Sequence, residues 1–260
     1  MQKVRAKKHL GQHFLNDMGI AKKIVDGLDS NSGLPVLEIG PGMGVLTQFL
    51  FDNKRLKVIE IDSESVKYLS DNYPTLKGNI IEGDFIKLDL NTVFNEPFAV
   101  IGNFPYNISS QILFKVIANR DLVPEVVCMV QREVGRRIAS EPGNKDYGIL
   151  SVILQAYYDI EYLFTVNEGV FTPPPKVKSA VIRIKRNNVD KLECSDAMFI
   201  KVVKTAFNQR RKMLRNSLKA LFIENLELLE AQIFTMRPEQ LNVKDFVHLT
   251  LLLENADIRK

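Results

Sequence analysis

The groups in this chain with the clearest chemical purpose lie in four consecutive residues, Asn103-Phe104-Pro105-Tyr106. They follow the apolar run Phe98-Ala99-Val100-Ile101, which reads as a buried strand, so they fall where that strand ends. An asparagine side-chain carbonyl beside a backbone carbonyl can accept both hydrogens of a planar exocyclic amine. Pro105 has no N–H and fixes its own φ, which stiffens the loop. Tyr106 offers a flat face on which a base can stack. The chemistry described is a cradle for an adenine amine. The same residue types also make an ordinary strand-ending turn, so the reading depends on what stands upstream.

Upstream, Val36-Leu37-Glu38-Ile39 reads as a short buried strand entering the turn Gly40-Pro41-Gly42-Met43-Gly44. Glycines belong where the backbone bends tightly and a ligand comes too close for a Cβ. The spacing is E-x-G-x-G-x-G rather than the dinucleotide fingerprint G-x-G-x-x-G, which points to nucleotide-like binding in general. Val45, Leu46, Phe49 and Leu50 continue at helical spacing. The next strand, Leu56 to Ile61, carries Glu60 near its end, where doubly wound sheets place a carboxylate that accepts from both ribose hydroxyls of an adenosine. A third strand, Ile80-Ile81, leads to Asp84, suited to accept from the amine of a bound adenine. Each acid alone reads as a solvated loop residue. Glu38, Glu60 and Asp84 in series ahead of Asn103 read as one ligand site, because ligands bind outside the carboxyl ends of such strands.

Elements that position these residues follow from periodicity. Helices are expected over Ser63 to Asn72, 109–119, 131–137 (with a basic face) and Gly148 to Tyr157, and strands over Glu125 to Val130, Ile160 to Val166 and Ser179 to Ile184. Strands alternating with helices give an α/β fold with a parallel sheet. Between the last two strands, Pro173-Pro174-Pro175 makes a stiff extended segment that holds Phe171 in place. After the polar break 185–188 the pattern is helical, giving a small C-terminal helical domain. Residues 201–219 read as one helix with Phe207, Leu214, Leu218 and Met213 inward and Arg211, Lys212 and Arg215 outward.

Charge is unevenly placed. Residues 1–10 carry Lys3, Arg5, Lys7 and Lys8, and residues 201–219 carry Lys201, Lys204, Arg210, Arg211, Lys212, Arg215 and Lys219, with no acid in either stretch. Of 35 basic residues these 11 leave 24 against 31 acidic ones, so the remainder is negative. Local basic patches on an acidic remainder suggest a polyanion, most simply nucleic acid; a solvated charged face is the alternative. Cys128 and Cys194 stand in no paired motif, as in a reducing compartment. His9, His13 and His248 lack metal-ligand spacing, so no metal is expected. No apolar run reaches the ~20 residues of a membrane span, and no apolar signal segment follows the basic start, so a cytoplasmic location is expected.

The chain resembles the small-subunit ribosomal RNA adenine dimethyltransferases along nearly its whole length. The matching blocks are GQHFLND (11–17), LEIGPGMGVLT (37–47), VIEID (58–62), EGD (82–84), GNFPYNISS (102–110), VQREVGRR (130–137), FTPPPKVKSAV (171–181) and FNQRRKMLRNSL (207–218). The resemblance implies a Rossmann-like class I methyltransferase sheet whose last strands include one antiparallel member, with a small helical domain. It implies methyl transfer from S-adenosylmethionine to two adjacent adenosines in the 3′-terminal hairpin loop of small-subunit rRNA. Gln12, His13, Leu15, Gly40, Gly42, Glu60, Asp84 and Asn103 would line the cofactor site. Asn103, Tyr106 and Phe171 would hold the target base. His13 stands where many members have Asn, and Phe104 where many have Leu.

On this basis residues 1–187 are expected to form the catalytic domain with its basic arm, and 188–260 a helical RNA-binding domain using Arg211, Lys212 and Arg215. The partner is small-subunit rRNA, without membrane or metal, and a monomer is expected. Related large-subunit rRNA adenine dimethyltransferases share the cofactor motifs; the PPPKV and FNQRRKMLRNSL blocks favour the small-subunit enzyme. A non-catalytic RNA-binding factor on the same fold would be expected to lose Glu60, Asp84 or Asn103, and a DNA adenine methyltransferase is a more distant alternative.

Overall fold

Short runs of apolar, β-branched residues separated by capped helices produce the strands that carry the site. The computed structural model describes residues 4–52 and 55–258, so Lys3 of the basic arm lies outside the described residues. In chain order the elements are β1 (Phe14–Leu15), α1 (Met18–Val25), β2 (Val36–Ile39), β3 (Leu56–Glu60), α2 (Ser63–Asn72), β4 (Ile80–Glu82) and β5 (Ala99–Asn103). Then come α3 (Ser109–Ala118), β6 (Glu125–Gln131), α4 (Arg132–Ile138), α5 (Ile149–Gln155), β7 (Tyr158–Val166), β8 (Phe171–Thr172) and β9 (Ser179–Arg186). The chain finishes with α6 (Asp196–Asn208), α7 (Leu214–Ser217) and α8 (Val243–Ile258).

The main sheet has seven strands in the order β4-β3-β2-β5-β6-β9-β7. The pairs β3–β4, β2–β3, β2–β5 and β5–β6 are parallel, and β9 enters antiparallel to β6. Strand β2 is buried at every position and β5 at all but its last, as expected of parallel strands covered on both faces. Gly102 is required by that packing: a Cβ there would stand 2.4 Å from the Ile39 carbonyl of the neighbouring strand. Asp62 caps α2 through the Glu64 amide, and Asp17 caps α1 through the Ile20 amide. A second, two-stranded antiparallel sheet joins β1 to β8, with Phe14 opposite Thr172 and Leu15 opposite Phe171.

Two compact units form. One comprises Met1–Gly135 with Ile160–Arg186; the other comprises Arg136–Asp159 with Asn187–Lys260. In the second unit α6 buries Phe199, Val202, Val203 and Ala206. Phe207 stacks with Phe246 at 5.9 Å between ring centroids, and Phe222 meets Phe234 edge-on at 5.1 Å.

Two expectations about helices are corrected. After the glycine turn the chain makes turns and a single 3-10 turn, Thr47–Phe49, in place of a full helix. Thr47 is buried there and donates its hydroxyl to Glu38 Oε2 at 2.6 Å, which ties the segment down to the strand beneath. Residues 201–219 are two helices. Gln209 leaves helical geometry at φ −123°, Met213 is extended, and the Leu214 amide donates to the Met236 carbonyl at 2.8 Å instead of to its own helix. Leu214 and Leu218 are buried as expected, while Met213 is 40% exposed.

Candidate active site

Strands β2, β3 and β5 end side by side, and β4 ends next to β3; the residues beyond these ends face a common hollow. Gln12, His13, Gly40, Gly42, Glu60, Asp84, Asn103 and Tyr106 all line it, around about 750 Å³ of empty space open to solvent. Leu15 lines an adjoining hollow together with Gly40 and Asn103, so those two residues belong to both. Every residue expected at the cofactor site is therefore at one of two contiguous walls.

The N-terminal arm is pinned across this opening. Lys7 Nζ donates to Asp62 Oδ1, and its amide donates to Gln12 Oε1 at 2.8 Å. Gln12 Nε2 reaches Asp62 Oδ2 at 3.4 Å. Burial alone would raise the Asp62 pKa, but the bonds from Lys7, Ser65 and Gln12 outweigh it and hold the carboxyl below its ordinary value. Farther along, the Asn16 amide donates to the Val170 carbonyl at 2.8 Å, and Asn16 Nδ2 donates to Thr172 Oγ1 at 2.7 Å. His13 Nδ1 lies 2.7 Å from the Pro173 carbonyl; a carbonyl only accepts, so Nδ1 carries the proton.

Asn103 ends β5. Its Nδ2 donates to the His13 carbonyl at 2.9 Å, which fixes the amide so that Oδ1 is the end left open. Among the described residues Oδ1 has no hydrogen-bond partner. Tyr106 follows in the loop. Its hydroxyl pairs with Ser179 Oγ at 2.5 Å, and its ring stacks with His13 at 5.5 Å and 27°. Burial raises the Tyr106 pKa, partly opposed by the Ser179 bond. Phe171 is placed differently from the expectation. It is 3% exposed, sits opposite Leu15 in the two-stranded sheet, and belongs to the apolar core instead of the hollow's wall.

Glu60 is buried and already engaged. Oε2 accepts from the Gly42 amide at 3.0 Å, and Oε1 accepts from the Ile61 and Asp62 amides at 2.9 and 3.0 Å. An ionised carboxylate has about four acceptor positions, which leaves roughly one on Oε2 for a ligand hydroxyl. Burial raises the Glu60 pKa against those amide bonds. Gly42 has φ +56°, and a Cβ there would stand 2.8 Å from the Phe14 ring, so both conformation and space demand glycine. Asp84 follows β4, and its Oδ1 accepts from the Ile86 amide at 2.9 Å. Glu38 is 1% exposed; burial raises its pKa to about 8 despite the Thr47 bond.

The residues fit a nucleoside-bearing cofactor: a glycine turn in which a Cβ at Gly42 would clash, a buried carboxylate with an acceptor position open, and an unpaired amide oxygen on Asn103, which lines the same space. Ile61, 51% exposed and lining the hollow, was not singled out in the sequence, although its place directly after Glu60 is the signal that marks it. The pairing of Lys7 with Asp62 carries no sequence signal, because nothing local shows that residue 7 meets residue 62.

In the second unit Arg211, Lys212 and Arg215 are exposed. Arg210 instead donates to the Asn144 carbonyl at 3.3 Å and approaches Glu239 at 4.0 Å. Among the described residues, Arg211 and Lys212 make no ion pair, and the Arg215 guanidinium makes no ion pair and donates to the Met213 sulfur at 3.3 Å. No group of three or more His, Cys, Asp or Glu among the described residues is arranged to hold a metal ion, and no helix is long and apolar enough to cross a membrane.

Residues 3–253 match the family described as ribosomal RNA adenine dimethylase. The chain is 58% identical over 256 residues to the ribosomal RNA small subunit methyltransferase A of Cytophaga hutchinsonii, covering 97% of this chain and 99% of the relative. A solved dimethyladenosine transferase from Plasmodium falciparum superposes with a TM-score of 0.77 at 27% identity, covering 94% of this chain and 98% of that one. The solved 23S rRNA methyltransferase ErmE superposes with a TM-score of 0.65 at 26% identity, covering 90% of this chain and 98% of that one.

Proposed function

The chain belongs to the ribosomal RNA adenine dimethylase family, and from that premise we propose a role for each part of the site in methylating small-subunit rRNA. The fold is the Rossmann-like class I methyltransferase sheet, and the enzyme is an S-adenosylmethionine-dependent rRNA adenine dimethyltransferase of the small-subunit type. Its targets on this reading are two adjacent adenosines in the 3′-terminal hairpin loop. It works in the cytoplasm as a monomer.

When bound, S-adenosylmethionine supplies an electrophilic methyl on a sulfonium. Gln12, His13, Leu15, Gly40, Gly42, Glu60 and Asp84 bind and orient it, with Glu60 taking a ribose hydroxyl and Asp84 the adenine amine. Asn103 stands at the junction of the cofactor and the target base. The target amine is a poor nucleophile because its lone pair is delocalised into the ring. Hydrogen bonds to Asn103 Oδ1 and the Phe104 carbonyl favour a pyramidal nitrogen whose lone pair faces the methyl. The rest is alignment, with reacting atoms at ~3–3.5 Å. The base leaves its stack to enter, and Tyr106 stacks on it, an interaction worth roughly 1–3 kcal/mol. Phe171 enters this reading as the ring that backs Leu15 from the core. Within the expected catalytic stretch 1–187, the unit formed by 1–135 with 160–186 carries catalysis, and Arg211, Lys212 and Arg215 of the other unit bind phosphates.

The observation that carries the reading is the oriented Asn103 amide, with Nδ2 held by the His13 carbonyl and Oδ1 open in a hollow shared with Glu60 and Asp84. The test is to incubate labelled cofactor with unmethylated small and large subunits and map the label. Label on two adjacent adenines of small-subunit rRNA is the expected result. Label on the large subunit alone would favour the related resistance-type activity.

A further inference from the structure

Tyr106 stands in a loop, where a side chain gains little orientation from its backbone, yet its ring is fixed at the far end. Its hydroxyl pairs with Ser179 Oγ at 2.5 Å. Ser179 itself cannot drift. It opens β9 opposite Gln131 of β6, is 0% exposed, and the Arg132 amide donates to the Lys178 carbonyl at 2.9 Å just beside it. The Tyr106 phenol is the only hydrogen-bond partner of that hydroxyl among the described residues. On one side the ring is met by His13, whose own ring is held by the Pro173 carbonyl. A mount of this kind removes the two side-chain torsions that would otherwise let the phenol swing.

We propose that Ser179 is a positioning residue for methyl transfer, tethering the Tyr106 phenol so that its ring is already set beside Asn103 when the target adenine arrives. The inference rests on the reading of Tyr106 as the stacking residue. It explains why a serine hydroxyl is buried at the start of a strand whose next three residues, Ala180, Val181 and Ile182, are buried and apolar. A ring held in advance costs no ordering entropy when the base enters, so its loss slows the aligned step more than it weakens binding.

The test uses full-length Ser179→Ala, Tyr106→Phe and the double variant on small subunits reconstituted with either adenosine or fluorescent 2-aminopurine at a target position. Each single variant should slow single-turnover methylation by about tenfold while cofactor affinity stays within about twofold. 2-Aminopurine emission should rise relative to wild type, because a loosened ring quenches it less. The double variant should be no slower than Tyr106→Phe, since both changes remove the same bond. A Tyr106→Phe enzyme with wild-type rate and quenching overturns the tether, and so do fully additive losses. If Ser179→Ala fails to fold, Tyr106→Phe still decides, since it leaves the serine and the ring in place. Tyr106→Ala separates the two levels. Wild-type quenching in that variant would mean the base stacks elsewhere, a failure of the Tyr106 assignment and not of the tether alone.

Discussion

Asn103 and His13 share one hydrogen bond that decides which end of an amide is left free: Asn103 Nδ2 donates to the His13 carbonyl at 2.9 Å, and Oδ1 has no partner among the described residues. Asn103→Ala should abolish methyl transfer with only a modest fall in cofactor affinity. Asn103→Asp should be nearly as damaging, because an ionised carboxylate cannot donate to the His13 carbonyl and meets it oxygen to oxygen. Single-turnover rates near wild type in either variant would remove Asn103 from the chemistry.

Glu60→Gln tests the cofactor side. The amide keeps the shape but has one acceptor oxygen for the three backbone amides of Gly42, Ile61 and Asp62, so the glycine turn should loosen as well. Cofactor affinity, measured by calorimetry on RNA-free protein, should fall about 10–100-fold, the loss of one or two charge-assisted hydrogen bonds.

Phe171 lies in the core, so Phe171→Ala should destabilise the catalytic unit by about 3–5 kcal/mol. Phe171→Leu keeps most of the volume and should lose far less. Thermal melts and methylation rates measured together distinguish the roles. A Phe171→Leu protein that melts like wild type but methylates much more slowly would show a direct stacking duty instead.

Glu38 gives a pH prediction. Its folded pKa of about 8 lies above the ordinary carboxylate value of 4.5 because burial disfavours the charge. The folded state therefore holds a proton that the unfolded chain has released, and stability falls as pH rises from 4.5 to about 8. At about 1.36 kcal/mol per pKa unit the total is on the order of 5 kcal/mol. Glu38→Gln should flatten that decline in denaturant titrations across the range, while an unchanged slope would assign it to other groups.

Arg211, Lys212 and Arg215 carry the RNA prediction. Neutralising all three should weaken small-subunit binding and flatten its salt dependence by roughly 0.7–0.9 log units of slope per lost phosphate contact. Cofactor affinity should stay unchanged, because the hollow belongs to the other unit. A wild-type salt slope would move RNA binding to other basic residues.

Much of this site is legible in the sequence because it follows strand ends. A run such as Leu56–Ile61 or Ala99–Asn103 announces its own boundary, and in a parallel sheet the ends come together automatically, so Glu60, Asp84 and Asn103 group from sequence alone. Local patterning does not show pairing between distant segments. Nothing near Phe171 says that it lies opposite Leu15 in an added two-residue strand, and an aromatic held by three prolines reads as a ring for the target base, whereas here it packs into the core. The break at Gln209–Met213 was hidden for the same reason. The apolar spacing runs on through Leu214 and Leu218, and the bond that interrupts the helix comes from Met236. The residues 136–159 that cluster with the C-terminal helices follow a strand as any crossover helix does, so their unit is set by packing alone.

The arm that bears His13 is anchored to a segment made much later. His13 meets the Pro173 carbonyl across 160 positions of chain, and the Asn16 amide meets Val170. At a translation rate of about 5–20 residues per second, the arm is exposed for roughly 8–30 seconds before its docking strand has been synthesised. A nascent chain already holding the glycine turn, Glu60 and Asn103 thus lacks the carbonyl anchor that steadies His13, and with it the brace on Asn103. Competence arises late, by a contact of high sequence separation and correspondingly slow closure. The enzyme that modifies ribosomal RNA is in this sense unfinished until nearly all of its catalytic unit has left a ribosome.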